Sequence, residues 1–134
     1  MKDPSKADDL ERRLIQFGAE IIRLSTKLPR TSEGKHVAMQ MLRSGTSAAA
    51  NYGEARAAES RADFVHKLRV VLKELNETGI WLRMISGSTL LPAQEIVAVV
   101  AENRELSKII AASVRTARSG TKLQMNGDTM GNGR

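Results

Sequence analysis

Two short motifs have the spacing that helical proteins use to bind a metal pair. They are Glu33–His36 and Asp63–His66, and the single carboxylates that could complete such a set are Glu20 and Glu102. Di-iron bundles combine two Glu-x-x-His pairs with single glutamates in this way. Orientation argues against the site here, because His66 lies two residues, about 200° of helix, beyond the apolar Phe64 and so points away from the core. We therefore expect no metal and no other cofactor.

Hydroxyl side chains at Ser44, Thr46 and Ser47 are candidates for a nucleophile. A catalytic hydroxyl needs an adjacent base, and the sequence places none near these residues. The chain contains no cysteine, and no glycine-rich loop follows a strand as phosphate-binding loops do. The sequence therefore predicts that the protein is not an enzyme.

Basic side chains remain as the chemically distinctive group. The 134 residues include 21 Lys and Arg against 15 Asp and Glu, which gives a formal net charge of +6, and such a balance favours polyanionic partners. Residues 1–67 carry 12 basic and 9 acidic groups, and residues 68–134 carry 9 and 6. Because each half is equally basic, an anion-binding surface has to be assembled by folding or by repetition in an oligomer.

The candidate nucleic-acid-binding residues lie in the middle of the chain. They are Arg43, Arg56, Arg61, Lys67, Arg69 and Lys73. Arg43 and Arg69 are the stronger candidates, because fewer acids lie one helical turn away from them. The alternative is that all six pair with nearby acids and only keep the surface soluble. Four aromatic residues in the whole chain leave little for base stacking.

Apolar residues repeat at spacings of three and four, which predicts helices, and no segment alternates as a strand would. The first helix is expected to start near Asp8 and Asp9, with its apolar stripe running from Leu10 to Leu28, and residues 1–8 are expected to be frayed. The other helices run from about Ser32 to about Ala57, from Ser60 to about Ser86, and from Pro92 to about Ala117. Thr31 or Ser32 is the expected N-cap of the second helix, and Ser60 that of the third. Short connections favour an antiparallel up-down-up-down four-helix bundle. Residues 1–118 would form this bundle, and residues 119–134, rich in Gly and Asn, are predicted to be a disordered tail.

Small residues recur every four positions in the second helix, at Gly45, Ala49, Gly53 and Ala57. Such a face allows another helix to approach closely. The approaching helix could belong to the same subunit or to another one. Trp81 precedes the apolar Leu82 and is expected to pack at a contact between helices or between subunits.

No apolar run approaches the roughly 20 residues of a membrane span. The first residues, MKDPSKADDLERR, lack the apolar region of a signal peptide. A cytoplasmic location is the expectation, and the absence of cysteine agrees with a reducing compartment.

The motifs between the first and third helices are distinctive as a set. They are Leu42-Arg43-Ser44, Ala50-Asn51-Tyr52, Glu54-Ala55, Ser60 to Phe64, Lys73-Glu74, Glu77-Thr78 and Trp81-Leu82. With them the chain resembles the 23S ribosomal RNA intervening-sequence protein family, from Leu28-Pro29 to the end of the fourth helix. Gly79-Ile80 departs from the resemblance, which implies a bulkier or aromatic pair at these two positions. Because the pair found here is smaller, we expect looser packing beside Trp81.

The resemblance implies homopentamers of antiparallel four-helix bundles, hence a ring-shaped homo-oligomer. A similar protein, the accessory variability determinant of diversity-generating retroelements, partners a reverse transcriptase and binds nucleic acid through basic surfaces. The leading hypothesis is therefore a non-enzymatic oligomeric module that binds RNA or DNA. The alternative is a protein-binding scaffold or accessory subunit that does not contact nucleic acid, and an enzyme built on the bundle is less favoured.

Overall fold

The chain folds into four α-helices joined by short connections. The computed structural model describes the backbone of residues 5–132 and the side chains of residues 6–120. The helices are α1 (Ser5–Lys27), α2 (Ser32–Arg56), α3 (Arg61–Ser88) and α4 (Ala93–Asn132), and residues 5–132 contain no strand. The predicted all-α four-helix bundle is confirmed.

Two hydroxyl side chains begin the middle helices, as the sequence predicts. Thr31 precedes α2 and accepts a hydrogen bond of 3.1 Å from the amide of Gly34. Ser60 precedes α3 and accepts one of 3.1 Å from the amide of Asp63. Each hydroxyl satisfies an amide that has no partner within its own helix, which fixes the first residue of the helix.

The outer ends of the bundle differ from the sequence expectation. α1 begins at Ser5, within the segment that was predicted to be frayed, and Asp8 lies in its first turn, where the helix dipole favours a negative charge as expected. α4 continues to Asn132, through most of the segment predicted to be disordered. No proline follows Pro92, so the backbone hydrogen bonds can continue. Residues 133–134, and the side chains beyond Gly120, lie outside the described part, and the predicted bundle boundary at residue 118 stays a prediction.

One hydrophobic core runs along the bundle. Its fully buried large side chains come from all four helices and include Leu14, Ile21, Met41, Leu68, Leu75, Leu82, Leu106 and Ile110. The predicted stripe of α1 is buried throughout. At the start of α3, Val65 is buried while Phe64 is only half-buried. The inward stripe is thus wider than a single row of residues, because both neighbours reach the core.

Each helix packs against its neighbour in the chain, and α1 also packs, less extensively, against α4. Among the described helices no contact crosses a diagonal of the bundle. The molecule therefore has four seams: α1/α2, α2/α3, α3/α4 and α1/α4. None of the helices in the described range is both long enough and apolar enough to cross a membrane.

Candidate polyanion-binding face

The α2/α3 seam holds two of the predicted nucleic-acid-binding residues in ion pairs. Arg43 reaches Glu74 at 3.4 Å and also pairs with Glu77. Lys67 Nζ lies 2.7 Å from a carboxylate oxygen of Glu54. The hydrogen bond from Arg43 lowers the pKa of the Glu77 carboxyl. The alternative that these cations pair with nearby acids therefore applies to Arg43 and Lys67. Arg43 ranked as a stronger candidate because only acids one turn away were counted, whereas Glu74 and Glu77 reach it from the neighbouring helix.

Ion pairs also cross both seams that α1 forms with its neighbours. On the α1/α2 seam, Arg56 lies 3.0 Å from Asp8 and 3.4 Å from Glu11. The α1/α4 seam carries the pairs Arg13–Glu102 at 2.7 Å and Lys27–Glu95 at 2.8 Å. These cations are therefore largely neutralised by their neighbours, and Arg56 is a weaker candidate for phosphate binding than the sequence suggests.

Three of the predicted residues remain without such partners. Arg61, Arg69 and Lys73 are exposed, and none forms an ion pair with any carboxylate whose position the structure describes. All three belong to α3. The available positive charge on the predicted surface thus lies on α3 and not on α2.

The α3/α4 seam differs from the other three in its charge. Among the described side chains, no ion pair crosses it. A groove of about 430 Å³ runs along it, and its lining contains Arg83, Arg104 and Lys108 but no acidic residue. Of these cations, only Lys108 has a carboxylate nearby, Glu105 at 3.7 Å on the same exposed helix face. Positive charge therefore meets positive charge across this seam.

Helical spacing extends this basic lining along both helices. On α3 the residues Arg69, Lys73, Asn76, Ile80 and Arg83 follow one another at intervals of four, three, four and three. On α4 the same intervals connect Arg104, Lys108, Ala111, Arg115 and Arg118. Residues at these spacings share one face of a helix. We call these two stripes together the basic face.

Only part of this face could be predicted from the sequence. Arg69 and Lys73 were candidates, whereas Arg83 and Arg104 were not, because nothing in one helix shows which other helix lies beside it. The signal that could have found them is the repeat of basic residues at intervals of four and three on both α3 and α4.

The floor of the groove is polar at one point. Asn103 is 6% exposed, and its Nδ2 donates a hydrogen bond of 2.9 Å to the main-chain carbonyl of Leu75. An ideal Cβ added to Gly79 would lie 2.7 Å from Asn103 Oδ1. The glycine therefore leaves room for Asn103 Oδ1 to approach α3 closely, at the groove that both residues line.

The small-residue face of α2 is divided between two environments. A Cβ on Gly45 would lie 2.8 Å from both Cγ1 and Cγ2 of Ile21, so this position forms a close contact between α1 and α2 within the subunit. Ala49 packs partly against the core. A Cβ on Gly53 would meet no atom within 4 Å, and Ala57 is exposed. The intramolecular interpretation holds for Gly45, and Gly53 and Ala57 leave an uncovered surface.

Trp81 lies on the α2/α3 seam. Its ring meets the edge of His36 with centroids 5.8 Å apart, and its indole nitrogen lies 3.5 Å from a carboxylate oxygen of Glu77. The side chain is half-buried and packs between two helices of one subunit. In the described range, no group of three or more His, Cys, Asp or Glu residues is arranged to hold a metal ion.

Comparison with known proteins identifies the family. The family model for the 23S rRNA-intervening sequence protein matches residues 9–112. The chain belongs to this family. A solved structure from Bacteroides thetaiotaomicron, a protein of unknown function from the S23 ribosomal protein family, is 31% identical, with a TM-score of 0.77 over 82% of this chain and 98% of that chain. No curated protein matches.

The motifs that carried the resemblance to the 23S rRNA-intervening sequence protein family meet at one seam. Arg43, Ser44, Glu74, Glu77 and Thr78 form a connected set of hydrogen bonds between α2 and α3. These motif residues hold two helices together. The departure at Gly79-Ile80 instead lies in the α3/α4 groove, on the basic face.

Proposed function

We propose that this protein is a non-enzymatic, oligomeric module that binds RNA or DNA along the basic face of α3 and α4. The observation that carries the proposal is the α3/α4 seam, which has basic residues on both sides and no acidic residue in its groove. Cations without carboxylate partners are available to neutralise phosphates, whereas those on the other seams are already paired. Contacts of this kind attach a nucleic acid without reading its sequence.

The proposed arrangement of the helices is antiparallel, in an up-down-up-down order. Residues early in α1 contact the end of α2, as in Arg56–Asp8, while Gly45 meets Ile21 further along. The same reversal relates α2 to α3 through Arg43–Glu77 and Lys67–Glu54. In this arrangement α3 and α4 run alongside each other for their full overlap, so the two basic stripes would form one continuous face.

The proposed assembly is a ring-shaped homopentamer, and apolar side chains on α1 and α2 support a subunit contact. Ile15, Ile22 and Leu42 are 56%, 50% and 36% exposed. A Cβ on Gly53 of α2 would also meet no atom within 4 Å, and covering the exposed apolar groups with a second copy would remove apolar area from water. A ring would repeat the basic face around its circumference, which multiplies the phosphate contacts available to one nucleic acid.

Light scattering tests the assembly. We expect a pentameric mass at tens of micromolar protein, and a monomeric mass for the double variant Ile15→Asp with Ile22→Asp. Val97→Asp is the matched control, because Val97 is equally apolar and 63% exposed but lies on α4. A monomeric wild-type protein would refute the oligomer, and a dimer would refute the ring.

The salt dependence of binding tests the function. Fluorescence anisotropy with a labelled single-stranded RNA of about 20 nucleotides and the corresponding DNA should show binding at about 50 mM salt that weakens steeply as salt rises. The slope of log affinity against log salt reports the number of phosphates contacted. Absence of binding to both probes at the lower salt concentration would refute the proposal.

A second candidate function is a protein-binding scaffold, possible partners being a reverse transcriptase or another protein of the cytoplasm. The exposed Ile15, Ile22 and Leu42 favour it, because a protein partner that covers exposed apolar side chains removes them from water. The same salt titration distinguishes the two functions, because binding through apolar contacts does not weaken with salt as phosphate contacts do.

A further inference from the structure

The groove between α3 and α4 offers three kinds of contact within a small space. Arg83 and Arg104 supply positive charge, and Ile80 and Val100 supply apolar walls. The Oδ1 atom of Asn103 supplies a hydrogen-bond acceptor at the floor. A volume of about 430 Å³ lies within the range of small-molecule sites, roughly 300–1,000 Å³.

The acceptor at the floor is open to a ligand. The Nδ2 group of Asn103 is occupied by the carbonyl of Leu75, which fixes the orientation of the amide because a carbonyl can only accept. No hydrogen bond to Oδ1 occurs among the described residues, although Asn103 as a residue is only 6% exposed. Since no enclosed side-chain N or O atom in the described range lacks a partner, Oδ1 retains some contact with solvent. Any side chain at Gly79 would cover this oxygen. A ligand group that donates a hydrogen bond would satisfy it.

The positive charge at the rim of the groove favours an anionic ligand. Arg83 and Arg104 are exposed and form no ion pair with a described carboxylate. Arginine presents several N–H donors in a planar fork that matches phosphate oxygens. A ligand that fits all three kinds of contact has a phosphate at one end and a flat ring with an amino group at the other.

We infer that the α3/α4 groove binds a nucleotide that carries an exocyclic amino group, with its phosphate at Arg83 and Arg104, its base between Ile80 and Val100, and its amino group donating to Asn103 Oδ1. The inference rests on the same basic face as the proposed function but makes a separate claim, because a free mononucleotide would suffice to occupy the groove. A nucleotide within an RNA chain offers the same chemistry, and the experiment separates the two sources.

Isothermal titration calorimetry with matched ligands tests the inference on the full-length protein. Adenosine monophosphate should bind saturably at millimolar concentration or below, and more tightly than inosine monophosphate, whose base has an oxo group in place of the amino group. Adenosine without phosphate should bind about ten-fold more weakly or worse, since contacts to a charged group are lost. Equal affinity for the two monophosphates would overturn the role of Asn103.

Variants locate the ligand in the groove. Arg104→Ala should weaken adenosine monophosphate binding by about ten-fold, whereas Arg30→Ala should leave it unchanged, because Arg30 is exposed in the α1–α2 connection. Gly79→Ala should remove the preference for the adenine base by covering Asn103 Oδ1, with circular dichroism showing that the variant is folded. If Arg104→Ala and Arg30→Ala bind the ligand equally, the groove is not the site.

The outcome for an oligonucleotide separates this inference from the proposed function. If the single-stranded RNA binds and adenosine monophosphate does not, the mononucleotide site is refuted and the nucleic-acid-binding function stands. If the monophosphate binds in the groove and neither RNA nor DNA binds at about 50 mM salt, the inference stands and the proposed function is refuted.

Discussion

The hydroxyl oxygens of Ser44 on α2 and Thr78 on α3 lie 2.8 Å apart, and both residues are fully buried. Thr78 also lies 2.8 Å from the carbonyl oxygen of Glu74. This polar pair sits inside an otherwise apolar core and fixes the register of α2 against α3. The register matters for function because it places Arg43 beside Glu74 and Glu77, which removes Arg43 from the charge available to a polyanion.

Replacing Thr78 with Val should destabilise the protein by about 1–2 kcal/mol, because the hydroxyl of Ser44 then loses its buried partner while the volume of the side chain is kept. Denaturant unfolding followed by circular dichroism measures the change. Thr116→Val is the matched control, since Thr116 is exposed on α4, and a change within about 0.5 kcal/mol is expected there. Equal effects at the two positions would show that the buried pair contributes nothing.

Adding a methyl group to α2 should have opposite effects at two glycines. At Gly45 the new Cβ would press against the fully buried Ile21, and overpacking costs about 1–3 kcal/mol, more than the roughly 1 kcal/mol gained in helix propensity. At Gly53 nothing lies within 4 Å, so Gly53→Ala should stabilise an isolated subunit. Melting temperatures of both variants test this contrast. A destabilised Gly53→Ala would mean that another subunit packs closely at Gly53.

Much of the fold follows from local patterns. The caps at Thr31 and Ser60 and the buried stripe of α1 are properties of single helices, so their residues alone predicted them. Helix ends without a cap were predicted less well, as the extension of α1 back to Ser5 shows. At the start of α3 the sequence indicated Phe64 as the inward residue, and the structure buries Val65 as well, with Phe64 half-buried against the core.

The candidate site was harder to predict because it depends on the contact between helices. Arg43 and Arg69 look alike within their own helices, yet one meets acids from α3 and the other meets none that the structure describes. Arg83 and Arg104 are far apart in sequence and become neighbours only where α3 packs against α4. Spacing within a helix shows which residues share a face, and tertiary packing decides what that face meets.

Acid should weaken the folded protein partly through Glu77. Arg43 holds the pKa of the Glu77 carboxyl below its ordinary value of 4.5, so this group contributes stability above pH 4.5 that is lost as pH falls through the folded-state pKa. The unfolding free energy of the wild type should therefore exceed that of Glu77→Gln by a constant amount near neutral pH and by less in acid. The difference in unfolding free energy between the wild type and Arg43→Gln should likewise become smaller in acid. A difference that does not change with pH would contradict the ion pair.

Truncation after Arg118 should leave the bundle intact, since the segment from Ser119 onward has no apolar stripe. We expect the melting temperature and the light-scattering mass class to match those of the full chain, and the helical signal lost should correspond only to the removed residues. If the shortened protein unfolds or changes its mass class, residues 119–134 are part of the folded unit.

The most direct test of the basic face compares two charge-reversal variants that change the net charge equally. Arg69→Glu with Arg104→Glu alters the basic face, and Arg30→Glu with Lys35→Glu alters exposed cations at the α1–α2 connection and the start of α2. Anisotropy titrations with single-stranded RNA at about 50 mM salt should show binding abolished in the first variant and retained in the second, with the oligomeric mass of both unchanged. Equal loss in both variants, or full binding by the first, would contradict the assignment of nucleic-acid binding to α3 and α4.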